Sequence, residues 1–153
     1  MKTRELKVHE LMDGCLYLVG KQVARYRIIN NGFETLDGKR LGYLTRTQRA
    51  RALCCRVMTQ KTPSGVEWHM EYVKAILITP EIMEKNGFEK YAMYHTLHEK
   101  QVRVEYYWYE SRLEIQPYDG EPWIKLAPIH YVHELQNLMK ICGLDELADK
   151  FVV

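Results

Sequence analysis

HYVHELQNLMKICGLDELADKF, residues His130 to Phe151, is the stretch whose reading decides the fold. Tyr131, Leu135, Leu138, Met139 and Cys142 recur at the spacing of one face of a 3.6-residue repeat. His133, Gln136, Asn137 and Lys140 fall on the opposite side. The pattern predicts an amphipathic helix. Gly143 enters the left-handed conformation without a Cβ penalty, so the helix is expected to stop there. Asp145 is then placed to cap a final short turn carrying Leu147 and Phe151. The apolar stripe of such a helix must be buried against another layer. The strands before it are the sheet it is expected to cover.

Those strands read as a meander. In QVRVEYYWYE (101–110), Val102, Val104, Tyr106 and Trp108 alternate with Arg103, Glu105, Tyr107 and Tyr109. YAMYHTL (91–97), SRLEIQPY (111–118) and WIKLA (123–127) are its neighbours, with turns at His98–Lys100, Glu110-Ser111 and Asp119–Pro122. Upstream, Thr79-Pro80-Glu81 opens a short helix: a hydroxyl cap, proline at the first helical position and an acid against the dipole. Ile82 and Met83 give it apolar contacts, and Asn86-Gly87 closes it with Phe88 packing back.

The N-terminal half is organised by turns. CLYLV (15–19), VARYRII (23–29) and FETL (33–36) are separated by Asp13-Gly14, Gly20-Lys21, Asn31-Gly32 and Asp37-Gly38. Short strands spaced this way predict a small, bent antiparallel sheet or half-barrel. ALCCRVMTQ (52–60) and VEWHMEYV (66–73) flank the loop Thr62–Gly65. Val66, Trp68, Met70 and Tyr72 are expected inside; Glu67, His69 and Glu71 are expected in water. Residues 39–51 are either a short basic helix capped by Thr45 or Thr47, or a loop. The fold class is therefore α+β with antiparallel sheets: the small N-terminal sheet, the C-terminal meander, a short middle helix and the C-terminal helix packed on the sheet. Residues 1–78 form a basic β-rich subdomain and 79–153 an α+β subdomain, sharing one core.

Length and composition set the outer bounds. A chain of 153 residues can bury about 68–70% of its unfolded surface. Apolar content of 46% and charged content of 27% are those of an ordinary globular protein. No apolar run reaches membrane-spanning length, and MKTRELKVHE lacks the apolar segment of a signal peptide, so no membrane and a cytoplasmic location are expected. Cys15, Cys54, Cys55 and Cys142 have no paired ligand spacing and read as free thiols, with no metal and no cofactor implied.

The net charge of +2 hides an asymmetry. Residues 1–74 carry 14 Lys/Arg against 7 Asp/Glu, and residues 75–153 carry 8 against 13. No acid occurs between Asp37 and Glu67, where Lys39, Arg40, Arg46, Arg49, Arg51, Arg56 and Lys61 stand. Such a block can track phosphates, or can be a solvated face turned to an acidic surface.

Three stretches carry a resemblance. KVHELMDGCLYLVG (7–20), ITPEIMEKNGFEK (78–90) and YVHELQNLMKICGLDEL (131–147) together resemble a family of short Bacteroidetes proteins often encoded near prophages or conjugative elements. The closing helix motif is the specific part, and the basic middle is unmatched. The resemblance implies a mobile-element setting and carries no established activity.

Catalytic motifs are absent. His130, His133 and Glu134 form an HxxHE cluster, whereas a metalloprotease helix needs HExxH with the glutamate between its histidines. An intrahelical His130–Glu134 pair with a solvated His133 is the expectation. No glycine-rich phosphate loop, GxSxG or paired-carboxylate spacing occurs, so the chain is read as no enzyme. Eleven tyrosines and three tryptophans leave the strand pair Tyr107 and Tyr109 on an uncovered face. There it can serve a protein partner or a homo-oligomer. The preferred reading is a non-enzymatic interaction protein; the alternative is a nucleic-acid-binding module working through Arg40, Arg46, Arg49 and Arg51.

Overall fold

The computed structural model describes residues 2–6, 10–44, 56–60 and 68–153. The chain divides into two units, Met1–Leu77 and Ile78–Val153.

In the first unit, β1 (Thr3–Glu5) is followed by β2 (Leu16–Val19), β3 (Gln22–Arg27), β4 (Gly32–Thr35), β5 (Arg40–Tyr43), β6 (Arg56–Gln60) and β7 (Trp68–Ile76). Strands β2 to β7 run as an antiparallel meander, and β7 also pairs with β2, so the described strands close a ring of six with β1 laid along β7. The expected half-barrel is a complete one. Closure is possible because β7 is nine residues long. Its first part, Trp68–Tyr72, faces β6, while Val73 and Lys74 face β2. A closed ring leaves few open sheet edges to pair with another chain. Leu16, Tyr17, Val19, Ala24, Tyr26, Phe33, Val73 and Ala75 are buried. Phe33 meets Tyr17 edge-on at 6.1 Å and Tyr26 at 5.3 Å. The Tyr17 hydroxyl accepts from the Met12 amide (2.8 Å) and donates to the Glu10 carbonyl (3.1 Å), so its polar end is satisfied.

Three expectations fail in this unit. Met70, 46% exposed, and Tyr72 face outward, while Val73 and Ala75 are buried. The alternation in β7 has the expected period and the opposite phase; a one-residue offset moves every side chain to the other face. The second failure concerns the turn before β4. Asn31 has positive φ (44°), but Gly32 lies in the strand, where a β-carbon would collide with the Gly42 carbonyl oxygen. Residues 40–43, read with 39–51 as a short basic helix or a loop, are instead strand β5, held between β4 and β6; the readings of residues 45–55 and 61–67 lie outside the described residues.

The second unit contains α1 (Pro80–Lys85), β8 (Glu89–Lys90), β9 (Tyr94–Glu99), β10 (Val102–Tyr107), β11 (Arg112–Gln116), β12 (Ile124–Lys125), α2 (Val132–Ile141) and α3 (Asp145–Lys150). Its sheet has the order β12-β11-β10-β9-β8, antiparallel throughout. Thr79 Oγ1 accepts from the Ile82 amide at 3.3 Å, the N-cap the sequence announces. At the far end of α2, Gly143 has φ 75° and its amide donates to the Lys140 carbonyl, while the Leu144 amide donates to Met139. That double bond pattern needs the left-handed residue glycine supplies. The helices cover the sheet face bearing Leu97, Val104, Tyr106, Leu113 and Ile115, and themselves bury Val132, Leu135, Met139, Ala148 and Phe151. Each such side chain contributes about 1.5–3 kcal/mol.

The decisive helix is rotated from its sequence reading. His133 and Gln136, expected in water, are buried; Leu138 and Cys142 are half-buried, and Ile141 is 72% exposed. The reason is α3. Gln136 turns toward it, and Gln136 Nε2 donates to the Ala148 carbonyl at 2.8 Å. The His133 ring stacks on Tyr131 at 5.9 Å. Asp145 is the first residue of α3 and not its cap; Leu144 occupies that position without a side-chain bond. A further tie was not foreseen: Asn86 Nδ2 donates to the Val152 carbonyl (2.8 Å), and Asn86 Oδ1 accepts from the Val152 amide (2.9 Å).

Candidate functional site

The rotation of α2 leaves apolar side chains unclaimed by the core. Leu138, Ile141 and Cys142 line a cleft of about 660 Å³ whose opposite wall is Val102, Ile115, Ile124 and Leu126. Pro117 and Tyr118 flank it, and Lys100 and Gln101 stand at its rim. Its volume lies within the roughly 300–1,000 Å³ of ligand-binding clefts. The Cys142 thiol is pushed up from its ordinary pKa by burial, so it is protonated at neutral pH and a poor nucleophile. Beyond Gly143 and Leu144 a second depression holds Glu99, Asp145 and Glu146 with Lys100 and Lys150.

The uncovered sheet face is polar and ordered in rows, because the pairing register sets residues side by side. One row is Glu89, Thr96, Glu105, Glu114 and Lys125; a second is Tyr94, Tyr107 and Arg112; a third is His98, Arg103 and Gln116. Glu105 and Glu114 are direct cross-strand neighbours, a like-charge placement that costs stability unless each is countered. Both are countered. Glu105 Oε2 accepts from the Tyr107 hydroxyl at 2.6 Å, and Arg112 Nε lies 2.9 Å from Glu114 Oε1. The Tyr107 phenol is held well above its ordinary pKa, first by its bond to Glu105, then by burial and the neighbouring carboxylates.

Tyr107 and Tyr109 are not brought together. The strand ends at Tyr107, and Tyr109 stands 90% exposed in the turn that follows. Tyr107 is half-buried inside a stack: Tyr91 lies on Tyr94 (5.0 Å), Tyr94 on Tyr107 (5.1 Å), and the Arg112 guanidinium 4.8 Å over the Tyr107 ring. Both ring faces of Tyr107 are thereby occupied, which removes it as a stacking platform. Arg40 is exposed, its guanidinium 5.5 Å from the Tyr43 ring centroid. Arg46, Arg49 and Arg51 lie outside the described residues.

The HxxHE cluster resolves into capping. Glu134 Oε2 accepts from the backbone amides of His130 (2.9 Å) and Tyr131 (3.1 Å), so the His130 ring is not its partner and His133 is not solvated. Glu134 thereby satisfies donors that the first helical turn leaves open. Among the described residues no group of three potential ligands could hold a metal, and no helix is long and apolar enough to cross a membrane. One site the sequence reading missed is His95, which is buried. Its Nδ1 accepts from Trp108 Nε1 at 2.8 Å, so Nε2 carries the proton and points at Glu84 Oε1, 3.4 Å away. The signal was available: His95 alternates in phase with Leu97 on β9. No protein-family model, curated protein or solved structure matches the chain.

Proposed function

We propose that the chain is a non-enzymatic interaction protein whose cleft beside α2 receives an apolar segment of a protein partner. The observation that carries this reading is the surplus on α2: Leu138 and Ile141 are large apolar residues that the core does not use, and they face Ile124 and Tyr118 across open space. Exposed apolar clefts rimmed by polar groups mark interaction sites. The adjoining depression, with Glu99, Asp145 and Glu146 against Lys100 and Lys150, favours basic residues beside the apolar anchors. The protonated thiol of Cys142 supports binding over nucleophilic chemistry at this place. A mobile-element setting fits the resemblance of residues 78–90 and 131–147. The test is selection from a random peptide library on immobilised wild type and on an Ile141→Asp/Leu138→Asp variant. Peptides enriched on wild type alone, with two or more apolar anchors and a basic flank, are expected. Equal enrichment on both proteins would sink the proposal.

A second reading belongs to the first unit, which carries the basic excess: nucleic-acid binding through Arg40, Arg46, Arg49 and Arg51. The exposed Arg40 resting on Tyr43 favours it, since a guanidinium held on an aromatic face is preorganised for phosphate. Fluorescence anisotropy with labelled oligonucleotides should then show affinity that falls steeply with salt and is lost in Arg46→Glu/Arg49→Glu/Arg51→Glu. Equal, negligible binding by both proteins removes this reading.

A further inference from the structure

The sheet of the second unit ends at β12, and that edge borders the cleft beside α2. Ile124 and Leu126 stand on the cleft side, across from Leu138 and Ile141, while Lys125 lies on the uncovered face with its ammonium 3.8 Å from Glu114. Ile124 is 50% exposed and Ile141 72%, so the cleft opens between the strand edge and the helix. The backbone of β12 has a fixed direction. The Leu126 amide donates to the Leu113 carbonyl at 2.9 Å, and Glu114 faces Lys125 at the next pair. Hydrogen-bonded and non-bonded pairs alternate in an antiparallel ladder, so the Lys125 N–H and C=O point away from β11. No strand lies beyond β12, and no hydrogen bond to either group is made among the described residues. The opposite edge offers no such combination, since β8 is Glu89–Lys90, both exposed and charged.

We infer that the protein partner's segment enters this cleft as an extended strand added to the free edge of β12; the inference rests on the cleft reading above and specifies the form of its occupant. Strands pair about 4.7–4.9 Å apart and turn alternate side chains to one face. A segment paired with Lys125 therefore sends every second side chain into the cleft, between Ile124 and Leu126 on the strand and Leu138 and Ile141 on the helix. The intervening side chains lie beside Lys125 in water. Main-chain bonds then supply affinity that does not depend on sequence, and the cleft selects apolar residues at alternate positions. A helix laid in the same cleft would bury the apolar walls and leave the Lys125 N–H and C=O unused. Charge sets the flanks. Glu99, Asp145 and Glu146 exceed Lys100 and Lys150 in the adjoining depression, and the unit carries 13 Asp/Glu against 8 Lys/Arg, which fits a strand with basic ends. The edge also limits its occupant. Pro122 and Pro128 bracket residues 123–127, so the added strand is short and the edge does not invite open-ended pairing.

The probes are the peptides that the wild-type chain selects from the random library, synthesised with plain backbones and with N-methyl groups on alternate backbone amides in each of the two phases. Binding to the full chain is read by fluorescence anisotropy. N-methylation in one phase should weaken binding about tenfold or more, and in the other phase leave it nearly unchanged, because only one set of amides faces β12. Lys125→Pro removes the outward N–H at a place where an edge strand tolerates proline, and should weaken binding about tenfold. Lys125→Ala keeps the N–H and should stay within about threefold of wild type. The inference is overturned if both N-methyl phases abolish binding, as for a helical peptide, or if neither does. It is equally overturned if Lys125→Pro, folded by circular dichroism, binds like Lys125→Ala. Peptides that need Leu138 and Ile141 yet pass neither backbone test leave the cleft reading standing and remove this one alone. Peptides that ignore Leu138 and Ile141 remove both.

Discussion

The two units solve the same problem, an antiparallel sheet with one apolar face, in different ways. The first curls its strands into a ring and buries Tyr17, Phe33 and Val73 inside, so covering the apolar face needs no second layer. The second leaves its sheet open, covers one face with helices and exposes the other. An open sheet keeps surfaces that a closed one eliminates. The cleft and the polar rows both belong to the open sheet. The charges divide likewise, with the basic excess in residues 1–77 and the acidic excess in 78–153.

The contrast can be broken first at the two cores. Phe33→Ala should cost about 3–5 kcal/mol and Leu135→Ala about 2–5 kcal/mol in urea unfolding, because both side chains are buried and neither site can collapse freely. A loss below about 1 kcal/mol at Phe33 would mean the ring is not packed as described. Gln136→Ala is next. It removes a buried hydrogen bond, leaving the Ala148 carbonyl only the longer bond from the Phe151 amide, and should cost about 1–2 kcal/mol, read in the same way, whereas a solvated glutamine would cost almost nothing. Gly143→Ala, at φ 75°, should cost about 1–2 kcal/mol with the loss confined to the α2–α3 junction in hydrogen exchange. Ile141→Asp sharpens the comparison from the other side. Its stability should stay within about 0.5 kcal/mol of wild type while peptide capture disappears.

The smallest effect is a titration. The folded pKa of Tyr107 is raised above the ordinary 10.0, so the fold prefers the protonated phenol. Its contribution is complete below the ordinary value and is lost as pH rises through the higher folded one. Burial raises Tyr106 as well, so absorbance of the ionised phenol at alkaline pH should show late-titrating tyrosines, one fewer of them in Tyr107→Phe. A Tyr107→Phe protein with an unchanged alkaline profile would detach the phenol from Glu105.

Much of this was legible in the chain because it rests on local rules. The Thr79-Pro80 helix start, the glycine stop at Gly143 and the period of two in β10 each follow from a few adjacent residues. What failed depended on partners far along the chain. The phase of β7 is set by which of its faces the ring encloses, and Met70 carries no mark of that. Gln136 looked like a surface residue because its acceptor, the Ala148 carbonyl, comes from a second helix read only as a final turn. Of the candidate site, Tyr109 at a solvated position was readable, but Tyr107 was not, since its stack with Tyr94 and Arg112 forms only across three strands.

The paired bonds between Asn86 and Val152 have a mechanical meaning. They clip together two points 66 residues apart in the chain. Stretched from positions 78 and 153, the unit would carry the load on those two bonds before any strand was sheared. Their rupture would free one short tail with little gain in length. Only later loss of the sheet would release extension on the order of 220–240 Å, the span of 66 extended residues. In Asn86→Ala the early, low-extension event should vanish from the force trace, leaving the main rupture in place.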